Sequence, residues 1–140
     1  MKVGERHYHT IWINEDGRSV DIIDQRWLPH EFRIVTLKSV NDVAVAIRDM
    51  WVRGAPLIGV TAAYGVAIAM AKDPSNAHLD AVWEELNETR PTAINLRWAL
   101  NAMRAHLADL PADDRAEAAY KRAAEIAEED VELNRSIGAN

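Results

Sequence analysis

A chain of 140 residues, 49% apolar and 27% charged, with no cysteine and a formal net charge of −6, has room for one domain with a proper core but not for two enzyme domains of typical size. The apolar content, including five tryptophans, excludes a disordered chain, because burial on this scale offsets the entropy of ordering. Disulfides, thiolate zinc sites and thiol catalysis are excluded by the missing cysteine, and the acidic balance speaks against a broad nucleic-acid-binding face.

The first ten residues, MKVGERHYHT, contain no apolar signal core, and no run reaches the roughly 18 apolar residues of a membrane span. The expectation is a soluble, cytoplasmic protein. Composition changes sharply near residue 43: no alanine precedes it and 23 follow. Before that point the pattern alternates with period two, in HYHTIWIN and in SVDIID, with Asp16-Gly17 between them as a hairpin signal. A third run, FRIVTLK, puts Phe32, Ile34 and Thr36 on one face and Arg33, Val35 and Leu37 on the other. These runs predict a small, mostly antiparallel three-stranded sheet over about residues 7–38.

Ser39-Val40-Asn41-Asp42 has the form of a capping box. The helix it opens carries Val43, Ile47 and Met50 at helical spacing and is expected to stop at Arg53-Gly54. Pro56 suits the first turn of the next helix, PLIGVTAAYGVAIAMA, which is apolar on almost every side and belongs at the centre of a bundle. Gly59 and Gly65 would let neighbouring backbones approach it. Asp73-Pro74-Ser75 breaks the chain before a third helix faced with Leu79, Val82, Trp83 and Leu86, which Thr89-Arg90-Pro91-Thr92 ends. A fourth helix presents Leu96, Leu100, Met103 and Leu107. The fifth starts at Asp113-Asp114, carries the stripe Tyr120, Ala124, Ala127 and Val131, and should reach about Ile137 with Gly138 as its stop. The fold class expected is therefore α+β: the sheet, then a bundle of about five helices over about residues 40–137, in one domain of 1–140. A long helix closing on a glycine at the end of the chain reads as a domain boundary.

Two loops share one physical design. In Arg53-Gly54-Ala55-Pro56 and in Arg90-Pro91-Thr92 an arginine stands just ahead of a helix N-terminus, where unpaired N–H groups and the positive dipole end favour an anion and a guanidinium adds donors matched to phosphate. Taken singly, Gly54 reads as a helix stop, Arg53 as solvated and Arg90 as tied to a carboxylate. Two such loops flanking the most apolar helix point to a phosphate pocket if the fold brings them together. His7 and His9, at i and i+2, could share a strand face, but without a nearby cysteine they read as surface residues rather than metal ligands. His30, His78 and His106 are isolated. The five tryptophans lie on elements with core periodicity, which suits packing in the core or between domains better than base stacking. The acidic residues Asp42, Asp49 and Glu84-Glu85 offer no acid–base pair by spacing. Nothing in the sequence calls for a metal or a cofactor.

MWVRGAPLIGVTAAYGVAIA, then TRPTAINLRWAL and finally NRSIGAN, with QRWLPHEF and AIRDM before them, resemble the N-terminal domain of the methylthioribose-1-phosphate isomerase family over essentially the whole chain. Ribose-1,5-bisphosphate isomerases and the α, β and δ regulatory subunits of translation initiation factor 2B share the superfamily, and rank second and third as readings. The resemblance implies an aldose–ketose isomerisation in methionine salvage, from 5-methylthioribose 1-phosphate to 5-methylthioribulose 1-phosphate. It also implies that a cysteine and an aspartate in a Rossmann-like C-terminal domain, absent from these residues, perform the proton chemistry. No catalytic residue is then expected in this chain, which alone would be inactive. Its phosphate-binding groups map onto Arg53, Gly54, Ala55 and Arg90. The partners implied are the sugar phosphate, the protein's own C-terminal domain and a second copy in a homodimer, with no nucleic acid and no membrane.

Overall fold

A computed structural model describes residues 2–3, 6–7, 11–14, 19–23, 34–49, 51–52, 55–90 and 93–138. The strands are β1 (Lys2–Val3), β2 (Arg6–His7), β3 (Ile11–Ile13), β4 (Val20–Ile23) and β5 (Ile34–Leu37). The helices are α1 (Val40–Arg48), α2 (Ala55–Lys72), α3 (Asn76–Thr89), α4 (Ile94–Ala108) and α5 (Ala112–Gly138). The class is α+β.

Alternation decides the sheet. β4 lies antiparallel between β3 and β5, and the register Ile11↔Ile22, Ile13↔Val20 and Val20↔Leu37 collects the apolar residues on one face. Ile11, Val20, Ile22 and Leu37 are buried there. On the other face Asp21 lies beside Thr36 in the register and is itself buried. Its carboxylate accepts Thr36 Oγ1 at 2.6 Å and Asn14 Nδ2 at 3.0 and 3.1 Å, the partners a buried acid needs. Asn14 N–H donates to the Ser19 carbonyl at 2.9 Å across the expected Asp16-Gly17 turn, whose own residues lie outside those described. β1 and β2 form a separate antiparallel ribbon. Expected to start the main sheet, His7 pairs instead with Lys2 in that ribbon. Two-residue strands are too short for periodicity to reveal.

α1 begins as its capping residues dictate: Ser39 Oγ accepts from Asp42 N–H at 3.1 Å, and Asp42 Oδ2 accepts from Lys38 N–H at 3.0 Å. Its end differs from expectation. Rather than running to Arg53-Gly54, α1 stops at Arg48 with Asp49 as C-cap. Asp49 N–H donates to the Val45 carbonyl at 2.8 Å, and Trp51 N–H to the Ala46 carbonyl at 2.9 Å, a six-to-one bond that turns the chain out of the helix. Val52 is then free to drop fully into the core. Met50 lies outside the described residues.

α2 is buried from Leu57 to Met70 apart from half-buried Ile58, and it touches each of the other four helices. An all-apolar helix has only one stable place in a water-soluble bundle, its axis. Thr61, fully buried, satisfies its hydroxyl on the Leu57 carbonyl at 2.7 Å. Leu96, Leu100, Met103 and Leu107 are fully buried along α4, each worth about 1.5–3 kcal/mol of transfer energy. On α5 the inward stripe is Ala119, Ala123 and Ile126, one residue from the expected one, with Tyr120, Ala124 and Ala127 half-buried beside it. Gly138 is the last helical residue rather than a stop beyond it. Among the described residues no helix is long and apolar enough to cross a membrane.

Candidate anion-binding site

α2 and α4 start side by side. Gly59, in the second turn of α2, faces the Asn95 carbonyl and Ala99 in the opening turns of α4. Each N-terminus thus lies within about 6 Å of helix rise, about one turn, of that contact. Neither helix has an acidic residue in its first turn, nor has α3, whereas α1 has Asp42 and α5 has Asp113 and Asp114. The N-cap of α4 is Ala93, which has no side-chain oxygen to accept the leading N–H groups.

Arg90 is the C-cap residue of α3, with φ −150° and ψ 78° outside the helical region, and its carbonyl accepts Ala93 N–H at 3.0 Å. Its side chain is half-buried, with Nε donating to the Ile47 carbonyl in the last turn of α1 at 3.1 Å. In place of the carboxylate weighed as the alternative partner of Arg90, the acceptor among the described residues is a backbone carbonyl at a helix C-terminus, a favourable place for a cation. Neither Nη has a hydrogen-bond partner among the described residues. Arg90 therefore reaches from the turn before α4 to the end of α1, six residues ahead of Arg53 in the chain. Ala55 is the first residue of α2, while Arg53 and Gly54 lie outside the described residues.

The other candidates fall elsewhere. Trp98 is 53% exposed and Ile94 82%, on the outer face of α4 opposite Leu96 and Leu100. Of the two expected kinds of packing, in the core or between domains, Trp98 does not show the first. Trp83 is half-buried, its Nε1 donating to Asn101 Oδ1 at 2.9 Å under the Arg104 guanidinium, 4.7 Å from the ring centroid. A cavity of about 720 Å³ beside it is lined by Asn76, Asp80, Asn101 and Arg104. His78 Nδ1 donates to the Asp73 carbonyl at 2.8 Å, and no cluster of three metal-ligating side chains occurs among the described residues. Sequence reasoning missed Arg115. Although only 6% exposed, it donates from Nε to Leu110 O at 3.1 Å, from Nη1 to Pro74 O at 2.9 Å and from Nη2 to Ala108 O at 3.5 Å. No spacing rule links these positions.

An α+β domain with two acid-free helix N-termini gathered beside an arginine is the class the geometry defines. The profile of the initiation factor 2 subunit family matches residues 51–140, and the chain belongs to that family. It is 89% identical over all its 140 residues to a methylthioribose-1-phosphate isomerase of Brucella anthropi and 52% identical over 138 residues to one of Escherichia coli. The chain spans 38% and 37% of the length of these two relatives. Among solved structures it resembles a 5-methylthioribose 1-phosphate isomerase from Pyrococcus horikoshii OT3, with 38% identity and a TM-score of 0.79 over 89% of this chain and 37% of that one. It also resembles the delta subunit of translation initiation factor eIF-2B from A. fulgidus, with 31% identity and a TM-score of 0.80 over 90% of this chain and 38% of that one.

Proposed function

We propose that these residues are the phosphate-holding N-terminal domain of an aldose–ketose isomerase that converts 5-methylthioribose 1-phosphate to 5-methylthioribulose 1-phosphate in methionine salvage. The shared name of the close relatives supports the activity. The observation that carries the role of this chain is the meeting of the α2 and α4 N-termini beside Arg90. Phosphate on C1 blocks the anomeric oxygen, so the ring opens only with help from an acid, and the substrate must be held while protons move. Arg53, Gly54, Ala55 and Arg90 are assigned to that holding role. The Nη pair of Arg90 and the leading amides of α4 supply the donors a phosphate takes. Arg90 enters the site already tethered through Nε, which lowers the entropy lost on binding.

On this reading, and as the family resemblance implies, the proton-transfer groups are a cysteine and an aspartate of a Rossmann-like second domain, with which the lack of cysteine in this chain agrees. The working unit is a cytoplasmic homodimer. A second reading, a non-catalytic regulatory domain, is supported by a TM-score to the initiation-factor subunit, 0.80, that matches the 0.79 to the isomerase, although the identity is lower, 31% against 38%. The deciding experiment assays isomerisation in a protein of the relatives' length carrying Arg53→Ala or Arg90→Ala. Each variant is expected to lose roughly 1.5–3 kcal/mol of substrate binding, and the 140 residues alone should not turn over substrate. An unchanged kcat/KM in both variants rejects the phosphate role.

A further inference from the structure

Resting on that reading, we infer that Gly59 is a positioning residue for phosphate, because the absence of its side chain sets the distance between the two helix N-termini. A methyl group on Gly59 would stand 3.0 Å from the Asn95 carbonyl oxygen, 3.6 Å from the Asn95 carbonyl carbon and 3.5 Å from Ala99 Cβ. The nearest atoms belong to the α4 backbone in its first turn, and backbone cannot step aside by changing rotamer. Relief requires α2 and α4 to move apart by a few tenths of an ångström, at the turn whose amides lead α4.

Gly65 is the more crowded of the two, and its neighbours differ in kind. A methyl there would meet Val43 Cγ1 at 2.9 Å and Leu86 Cδ1 at 3.0 Å, both side chains of the core between α1 and α3. A methyl at Gly65 therefore strains packing, whereas one at Gly59 moves a wall of the anion site. The two glycines of one helix thus separate a stability effect from a geometric one, and each serves as the control for the other.

The test uses a protein of the relatives' length, with inorganic phosphate as a competitive inhibitor and the phosphosugar as substrate. Gly59→Ala is expected to raise KM and the phosphate inhibition constant roughly tenfold, less than the ~10²-fold that a 1 Å misplacement can cost, with kcat changed by less than about twofold. Gly65→Ala should lower Tm and leave the inhibition constant unaltered. If Gly59→Ala does not accumulate as folded protein, Ala99→Ser sets a smaller wedge in the same contact and should move the constant in the same direction. The inference is overturned if either wedge leaves the phosphate constant unchanged in a protein where Arg90→Ala raises it. If Arg90→Ala leaves it unchanged too, the phosphate site itself is rejected, and this inference with it.

Discussion

The two ends of the helical bundle treat their helix dipoles in opposite ways. At one end the carbonyls that follow α2 and close α4, those of Pro74, Ala108 and Leu110, converge on the buried Arg115 guanidinium. The negative dipole ends are neutralised from inside, and the cation gains hydrogen bonds in place of the water it lost. At the other end α2 and α4 begin together with no acid in either first turn, and α4 has an alanine for its N-cap. α3 shows that this chain caps helices when nothing else is asked of them: Ser75 Oγ accepts His78 N–H at 3.2 Å. A helix end closed by its own side chains serves stability, whereas α4, whose N-cap offers no side-chain acceptor, has leading amides that the proposed anion would take.

Three substitutions probe this contrast, in order of expected effect. Arg115→Ala strips three carbonyls of their donor and leaves space in the core, so unfolding free energy should fall by about 3 kcal/mol. Urea denaturation reads this loss, and phosphate affinity should not follow it. Ala93→Asp gives α4 the cap it lacks. It is expected to raise unfolding free energy by about 0.5–1 kcal/mol while weakening phosphate inhibition, because its carboxylate competes for the same amides. A variant that gained stability and kept its phosphate affinity would erase the distinction between the two ends.

The smallest effect belongs to Asp73, ahead of α3. The Ser75 backbone N–H, bonded at 3.1 Å, then the Ser75 hydroxyl, and more weakly nearby His78, hold its carboxyl below the usual carboxylate range. Its folded-state pKa being lower than in the unfolded chain, the contribution is complete above about pH 4 and disappears as pH falls through the folded-state value. Comparing the acid limb of Tm against pH for the parent and for Asp73→Asn measures it: the parent should lose slightly more stability than the variant on acidification.

Periodicity made most of the helices legible. Leu96, Leu100, Met103 and Leu107 repeat at 3.6-residue spacing, and all four are buried. On α5 the same method slipped by one position, because that helix is lined with alanine on several sides and the hydrophobic contrast is weak. The end of α1 was misplaced because Gly54 is a strong stop signal, whereas the bond from Trp51 to Ala46 that ends the helix earlier leaves no mark in residue type. At the proposed site, the candidate donors come from the Arg-Gly and Arg-Pro loops, and of the two arginines only Arg90 lies among the described residues. The tether from Arg90 to Ile47 spans 43 residues and arises only when α1 and α3 finish at the same level. Arg115 was invisible for the same reason, since its acceptors are backbone carbonyls that every residue has.

The burial of α2 on all sides bears on motion. Between Leu57 and Met70 this rod is enclosed by four other helices, so the amides of that stretch are expected to exchange with solvent only when the bundle opens. α4 presents Ile94 and Trp98 to solvent and is the partner with freedom to shift. At the proposed anion end, then, α2 would be the stationary jaw, and adjustment to a ligand would belong to α4 and to the turn that carries Arg90.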